Sequence, residues 1–258
     1  MNGLDNWLKT PPGRYALAWE QAQFDAVVAD IFGYHALQLG LTAAIDALAA
    51  NRMPHRWRAA LTAPDEMQAD ATGAPAANPA PRVALIAGPA ALPFPEASLD
   101  LIALPHTLDL CPDPQTAQAA LHEAGRALVH EGCLIVTGID PISLWRLSGA
   151  LAGASPAGNK PVTPRRLRAL LRDTDLELQA VRRGGHGFAP CAWRDEARLD
   201  RWGAHLWPAL GALWCAIAVK RSRGAILVGP AWKTQPAAAG AQAGVAQRTE
   251  PMADSLSR

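Results

Sequence analysis

The chain is poor in cysteine, and the cysteines it has are not paired. Cys111, Cys133, Cys191 and Cys215 stand far apart, with no C-x-x-C and no histidine at metal-ligand spacing. That excludes a disulfide framework and a zinc-ribbon site, and it favours reduced thiols in a cytoplasmic protein. Charge of one sign is lacking too. Lys and Arg number 24 against 23 Asp and Glu, a net charge of +1, so no nucleic acid or other polyelectrolyte partner is implied. Long apolar runs are also missing. WPALGALWCAIAV at 207–219 contains Pro208 and Gly211 and falls short of the ~20 residues that span a bilayer. The opening MNGLDNWLKTPPGRY has no apolar core and no small-residue cleavage site, so no secretory leader is expected. Neither G-x-S-x-G nor G-x-G-x-x-G occurs, which removes the support for a hydrolase triad or a dinucleotide dehydrogenase.

What is present is a sequence in which half the residues are hydrophobic, enough for one sizeable core. Residues 14–32 predict a helix, with Leu17, Phe24, Val27, Val28 and Ile31 on one face and Gly33 ending it. A strand over 35–39 follows, then a helix through AAIDALAA and a short strand over 57–61. ATGAPAANPAP at 71–81 predicts an exposed loop. RVALIA at 82–87 and LDLIAL at 99–104 are near-continuous apolar runs, as expected of parallel strands covered on both faces.

Farther on, 115–129 predicts a helix, and Glu131-Gly132 turns the chain into a fifth strand, CLIVTGI. Thr163 and Pro164 form a cap and first-turn pair for a helix carrying Leu167, Leu170 and Leu171. Two final strands are expected over 176–181 and 213–219. The alternation predicts a three-layer, doubly wound α/β sheet of about seven strands with ligands at their carboxyl ends. One domain over 1–233 is expected, with a helical cap over about 1–33, and a disordered tail over 234–258 rich in Ala, Gly, Gln and Ser.

The most specific stretch is ALPFPEASLDLIALPHTLDLCPDPQTAQAALHEAGRALVHEGCLIVTGI, residues 91–139. Its Leu92-Pro93-Phe94, Ser98-Leu99-Asp100, His106 to Pro114 and Arg126 to Gly132 keep the order and spacing of a known pattern. In this it resembles the class I S-adenosylmethionine-dependent methyltransferases, particularly the type 11 group. PPGRYALAWEQAQFD and IVTGIDPISLW resemble a bacterial subgroup of these proteins. The resemblance implies a Rossmann-like sheet, with the seventh strand antiparallel beside the sixth, and S-adenosylmethionine as cofactor. It also implies a methyl acceptor, a small molecule or one of another class, aligned at the strand ends.

In that family a glycine-rich turn after the first strand lets the cofactor touch the backbone, where a Cβ would collide. Here the turn reads Gln38-Leu39-Gly40-Leu41-Thr42-Ala43-Ala44, so only the first glycine remains. Gln38 stands where an acid orders the loop. The ribose-binding acid falls near Thr62, with Asp65 and Glu66 just beyond, and Gly88 takes the place of the adenine-recognising Asp. Carried over residue by residue, the cofactor-binding candidates are Gln38, Gly40, Glu66, Gly88, Pro89, Ala90 and Pro105.

His106 and Asp109, just past the fourth strand, are the catalytic candidates, as a base or in positioning the acceptor. The plainer alternative makes His106 a helix cap and Asp109 a solvated side chain. Two functions therefore stay open: a methyltransferase that holds its cofactor through backbone groups, and a non-catalytic binding or regulatory module on the same fold.

Other features have a plain structural reading beside the functional one. Asp140-Pro141-Ile142-Ser143 reads as a helix-starting turn rather than the tetrad of amino-methylating enzymes. Arg165, Arg166, Arg168 and Arg172 read as a solvated basic face, giving no strong nucleic-acid signal. Trp193, Trp202, Trp207, Trp214 and Trp232 could wall a substrate pocket or pack the core. The sequence carries no sign of oligomeric state.

Overall fold

The structure, a computed structural model, describes residues 3–61, 84–147, 149–152, 161–186 and 210–221. Every described residue belongs to one compact unit, Met1–Arg223. The loop expected over 71–81, the tail over 234–258, Glu66, Cys191 and all five C-terminal tryptophans except Trp214 lie outside the described residues.

Two short-range signals set the N-terminal helices. After α1 (Gly3–Leu8), Thr10 accepts from the amide of Gly13, and Pro11 and Pro12 occupy the first turn of α2 (Pro11–Val28). The helix thus starts and ends earlier than its apolar pattern predicts. Its last carbonyl and one in the turn beyond it are captured by a side chain: Asn51 Nδ2 donates to Val28 O at 2.9 Å and to Ile31 O at 3.3 Å.

Seven strands follow: β1 (His35–Leu39), β2 (His55–Ala60), β3 (Leu85–Ile86), β4 (Leu99–Pro105), β5 (Leu128–Ile139), β6 (Leu176–Gly184) and β7 (Leu213–Lys220). They form one sheet in the order β3-β2-β1-β4-β5-β7-β6. β1 to β5 are parallel to one another, and β7 runs antiparallel between β5 and β6. The expected pairing of 99–104 with 133–138 is present, with Ile102 opposite Leu134 and Leu104 opposite Val136.

Both faces of the central strands are covered, as their apolar runs require, but edge strand β3 is not, since it keeps only Leu85–Ile86 of RVALIA and leaves Ile86 half exposed. α3 (Pro114–Ala127) and α5 (Pro164–Leu171) lie on one face, packing Leu121, Ala124, Leu167 and Leu171 against Leu37, Ile102, Leu134 and Trp214. On the other, α2 and the 45–53 segment bring Phe24, Val28, Ile45 and Leu48 onto Ala36, Leu101, Ile135 and Cys215. Each large side chain buried in this way contributes roughly 1.5–3 kcal/mol. A third cluster joins Trp7, Ala16 and Trp145 of α4 (Leu144–Leu147) to Ile139 and Leu213.

The structure corrects three expectations. No helix forms through AAIDALAA, where residues 42–50 make turns. In a helix Ala47 N would donate to Ala43 O, but here it donates to Gln38 Oε1 at 3.0 Å, and Gln38 Nε2 takes Ile45 O at 2.9 Å. Buried side chains have claimed the groups that a helix needs.

The helix expected over 115–129 is capped by Asp113, which accepts from Thr116 N, and gives way to β5 at Leu128. Glu131-Gly132 is not a turn into the strand but part of β5, with Glu131 at φ 63° and a register shift opposite Leu99–Leu101. Asp140 does start a turn, accepting from Ile142 N at 3.0 Å just before α4.

Candidate functional site at the carboxyl edge of the sheet

β1 leaves the sheet through Gly40 at φ 89°, followed by Leu41 at φ 44°. A Cβ on Gly40 would lie 2.9 Å from Thr107 Oγ1 and 3.4 Å from Pro105 O, so this glycine is required by its neighbours as well as by its φ. Thr107 Oγ1 donates to Leu39 O at 2.5 Å. Gly40 and Pro105, both expected at the site, are therefore brought together, with Thr107 wedged against them. The Gly88–Ala91 turn ends β3, two strands from β1 on the same edge. A Cβ on Gly88 would meet nothing within 4 Å.

The loop after Gly40 is held by two buried side chains on one face of the sheet, Gln38 and its β2 neighbour Arg58. Gln38 Nε2 also donates to Gly40 O at 3.2 Å. Arg58 Nη2 donates to Thr42 O and to Ile45 O, and Nη1 stands 3.3 Å from Asp46. Burial lowers the Arg58 pKa, and Asp46 partly offsets that. The loop carbonyls of Gly40, Thr42 and Ile45 are thus occupied from within the protein.

His106 and Asp109 are buried together and lie closer than a sequence reading could show. His106 has φ 51° and no exposure. Its Nδ1 is 3.1 Å from Asp109 Oδ2, and its Nε2 is 2.6 Å from Glu20 Oε1 of α2, itself fully buried. The Glu20 contact is an ion pair without an in-line hydrogen bond, since neither Glu20 oxygen has a well-directed donor. Burial alone would depress the His106 pKa, but Glu20 and Asp109 outweigh it and raise it to about 10.

Asp109 is not solvated. Its Oδ2 also accepts from Ile139 N at 3.1 Å, and its Oδ1 accepts from Val162 N at 3.2 Å. His106 accordingly carries its proton at neutral pH, with both ring nitrogens against carboxylates.

Glu20 and Arg58 are the residues that sequence reasoning missed. The signal for Glu20 was an acid within the apolar stripe of α2, between Leu17 and Phe24. For Arg58 it was a charge on an otherwise apolar strand end.

Elsewhere on the edge, buried Asp140 pairs with Arg183 at 2.9 Å. Arg165, Arg168 and Arg172, on and just after α5, are exposed. A cavity of about 350 Å³ lies between α5 and the start of β6, lined by Arg168, Leu171 and Leu176, at the amino edge and away from this site. Cys111, Cys133 and Cys215 are buried thiols that form no disulfide among the described residues. Burial first, with nearby carboxylates for Cys111 and Cys215, pushes their thiols up to about 11, 12 and 12. Among the described residues no group of His, Cys, Asp or Glu is placed to hold a metal, and no helix is long and apolar enough to cross a membrane.

No family model matches the chain. It is 29% identical over 221 residues to the uncharacterised protein YafS of Escherichia coli, covering 84% of this chain and 81% of that one. Among solved structures it is similar to an S-adenosylmethionine-dependent methyltransferase of Thermotoga maritima, with a TM-score of 0.54 and 19% identity over 81% of this chain and 91% of that one. One from Archaeoglobus fulgidus gives a TM-score of 0.54 at 12% identity, over 79% and 94%. Another from Mesorhizobium loti gives 0.52 at 14%, over 78% and 97%. Together with the strand order and the antiparallel β7, these likenesses establish that the chain has the Rossmann-like class I methyltransferase fold.

Proposed function

We propose that this chain is a cytoplasmic S-adenosylmethionine-dependent methyltransferase of the type 11 kind, with an acceptor not yet assigned. The observation that carries this reading is the Gly40 turn at the carboxyl edge, in contact with the Pro105–Thr107 turn of β4. Open backbone at Gly88, beside Pro89 and Ala90, supplies a second side of the same edge. These groups fit a ligand held through the backbone. Gly40, Gly88, Pro89, Ala90 and Pro105 would line it, with Gln38 shaping the loop.

S-adenosylmethionine, when bound, supplies an activated methyl group. This chain's own residues would align the acceptor for in-line displacement, and alignment by itself is worth a large rate factor. His106 is ill suited to accept a proton, being already protonated and enclosed between Glu20 and Asp109. The residues at the β4 turn therefore orient rather than deprotonate.

The second reading, a non-catalytic module, has its own support. Gln38 and Arg58 occupy the loop carbonyls, and the position of the adenine-recognising Asp is Gly88. Losing two charge-assisted contacts, each worth roughly 1.5–3 kcal/mol, weakens binding by roughly a hundredfold or more.

Calorimetry with S-adenosylmethionine and S-adenosylhomocysteine tests both readings without knowledge of the acceptor. The methyltransferase reading expects saturable binding, no tighter than micromolar, that Gly88→Val removes. A Cβ at Gly88 meets no protein atom, so that variant keeps its fold and isolates the ligand contact. No heat at millimolar ligand would leave the module reading standing.

A further inference from the structure

The buried charges of Glu20, His106 and Asp109 reach four separate parts of the carboxyl edge. Glu20 belongs to α2, the N-terminal cap. His106 and Asp109 belong to the turn after β4. Asp109 accepts from Ile139 N at the end of β5 and from Val162 N in the segment that leads into α5. α2 covers one face of the sheet and α5 the other, so a single chain of contacts runs across the edge from cap to far side.

Its geometry is held tightly. His106 keeps φ 51°, uncommon for a residue with a side chain. Gly138 approaches so closely that a Cβ there would lie 3.0 Å from Asp109 Oδ2. Nor is the chain made of independent parts. If α2 withdraws, the His106 charge loses one of its two carboxylates inside a dry interior, and the Asp109 pair is left to hold an imidazolium alone.

We propose that Glu20, His106 and Asp109 are one latch that makes the N-terminal helix α2 and the Val162 segment open and close together across the carboxyl edge. The latch is a property of this chain's own residues and stands whether or not a cofactor binds. Access to the edge is then gated from both faces by one event, not by two independent loops.

The charged groups around His106 are Glu20 from α2 and Asp109 from its own turn. Cys215 of β7, which feels Glu20 and in the opposite sense Arg182 of β6, stays a neutral thiol.

Native-state hydrogen exchange on the full chain at neutral pH tests the latch. In the parent, the Phe24 and Val162 amides should exchange through a common opening. The isosteric Glu20→Gln variant should speed both by at least tenfold and leave the Leu92 amide, held by Glu123 at 2.9 Å, unchanged. Acceleration of Phe24 alone, or of neither amide, overturns the proposal.

A second measurement needs no variant. His106, raised to about 10 by its carboxylates, stabilises the fold fully below its unfolded value of about 6.5 and loses that contribution as pH rises through 10. After correction for base-catalysed exchange, the two amides should loosen together over that upper range as the ¹⁵N signals of the ring titrate. A ring that titrates between pH 6 and 7, or amides that part company, refutes the latch.

Discussion

The corner formed by β1 and β2 and the run from β4 through α3 to β5 are built on opposite principles. In the second, the residues that resemble the methyltransferase pattern are fastenings of the fold. Asp100 Oδ2 accepts from Tyr34 N at 2.8 Å and His35 N at 2.9 Å, fixing the entrance of β1. Glu123 accepts from Leu92 N, and Arg126 donates to Leu92 O and Phe94 O, fixing the LPF loop on α3. In the β1–β2 corner two buried polar side chains, Gln38 and Arg58, hold the loop through its carbonyls. Residues that match a family's pattern can therefore serve the architecture and not the ligand. A strong motif match then speaks for fold more than for chemistry.

The comparison breaks first at Gly138. Gly138→Ala places a Cβ 2.5 Å from Trp214 Cζ2 in the core and should cost about 3 kcal/mol by overpacking, read by urea denaturation. A tolerated substitution would mean that the motif half is not the rigid one.

Gln38→Glu comes next. A carboxylate there faces Gly40 O and Ile45 O, which now accept from Nε2, and should cost about 2 kcal/mol in the same assay. If the acid instead raises stability or strengthens S-adenosylmethionine binding, the corner is a ligand loop after all.

Glu123→Ala leaves the Leu92 amide without its partner. Because its ion pair with Arg126 is partly exposed, the loss should be only about 1 kcal/mol, with the loop at 92–94 exchanging faster by hydrogen exchange. The smallest effect per residue is expected from Thr42→Gly with Ala44→Gly. Arg58 uses the carbonyl of Thr42 and not its side chain, so stability should fall by roughly 0.5–1 kcal/mol per glycine while ligand binding tightens or stays unchanged. A large loss of binding would show that those side chains hold the ligand.

The strands were legible because a parallel sheet covered on both faces demands uninterrupted apolar runs, and LDLIAL and CLIVTGI supply them. The Thr163 cap was legible for a local reason, since its hydroxyl accepts from Arg166 N three residues on, at 3.3 Å. The helix through AAIDALAA was misread because its composition is helical but its hydrogen-bonding groups are claimed by Gln38, a neighbour across the turn. His106 and Asp109 could be singled out as a pair, but not their state. That depends on Glu20, which stands 86 residues earlier in the chain and meets His106 at 2.6 Å.

Order, period and capping, all read within a few residues, were enough to settle the α/β architecture. Whether the loop after β1 is open or filled, and whether His106 is a base or a buried cation, was decided by packing. Both depend on which polar side chains burial forces together. In a dry interior a glutamine, an arginine or a carboxylate must find partners wherever the fold brings them, whatever the distance along the chain.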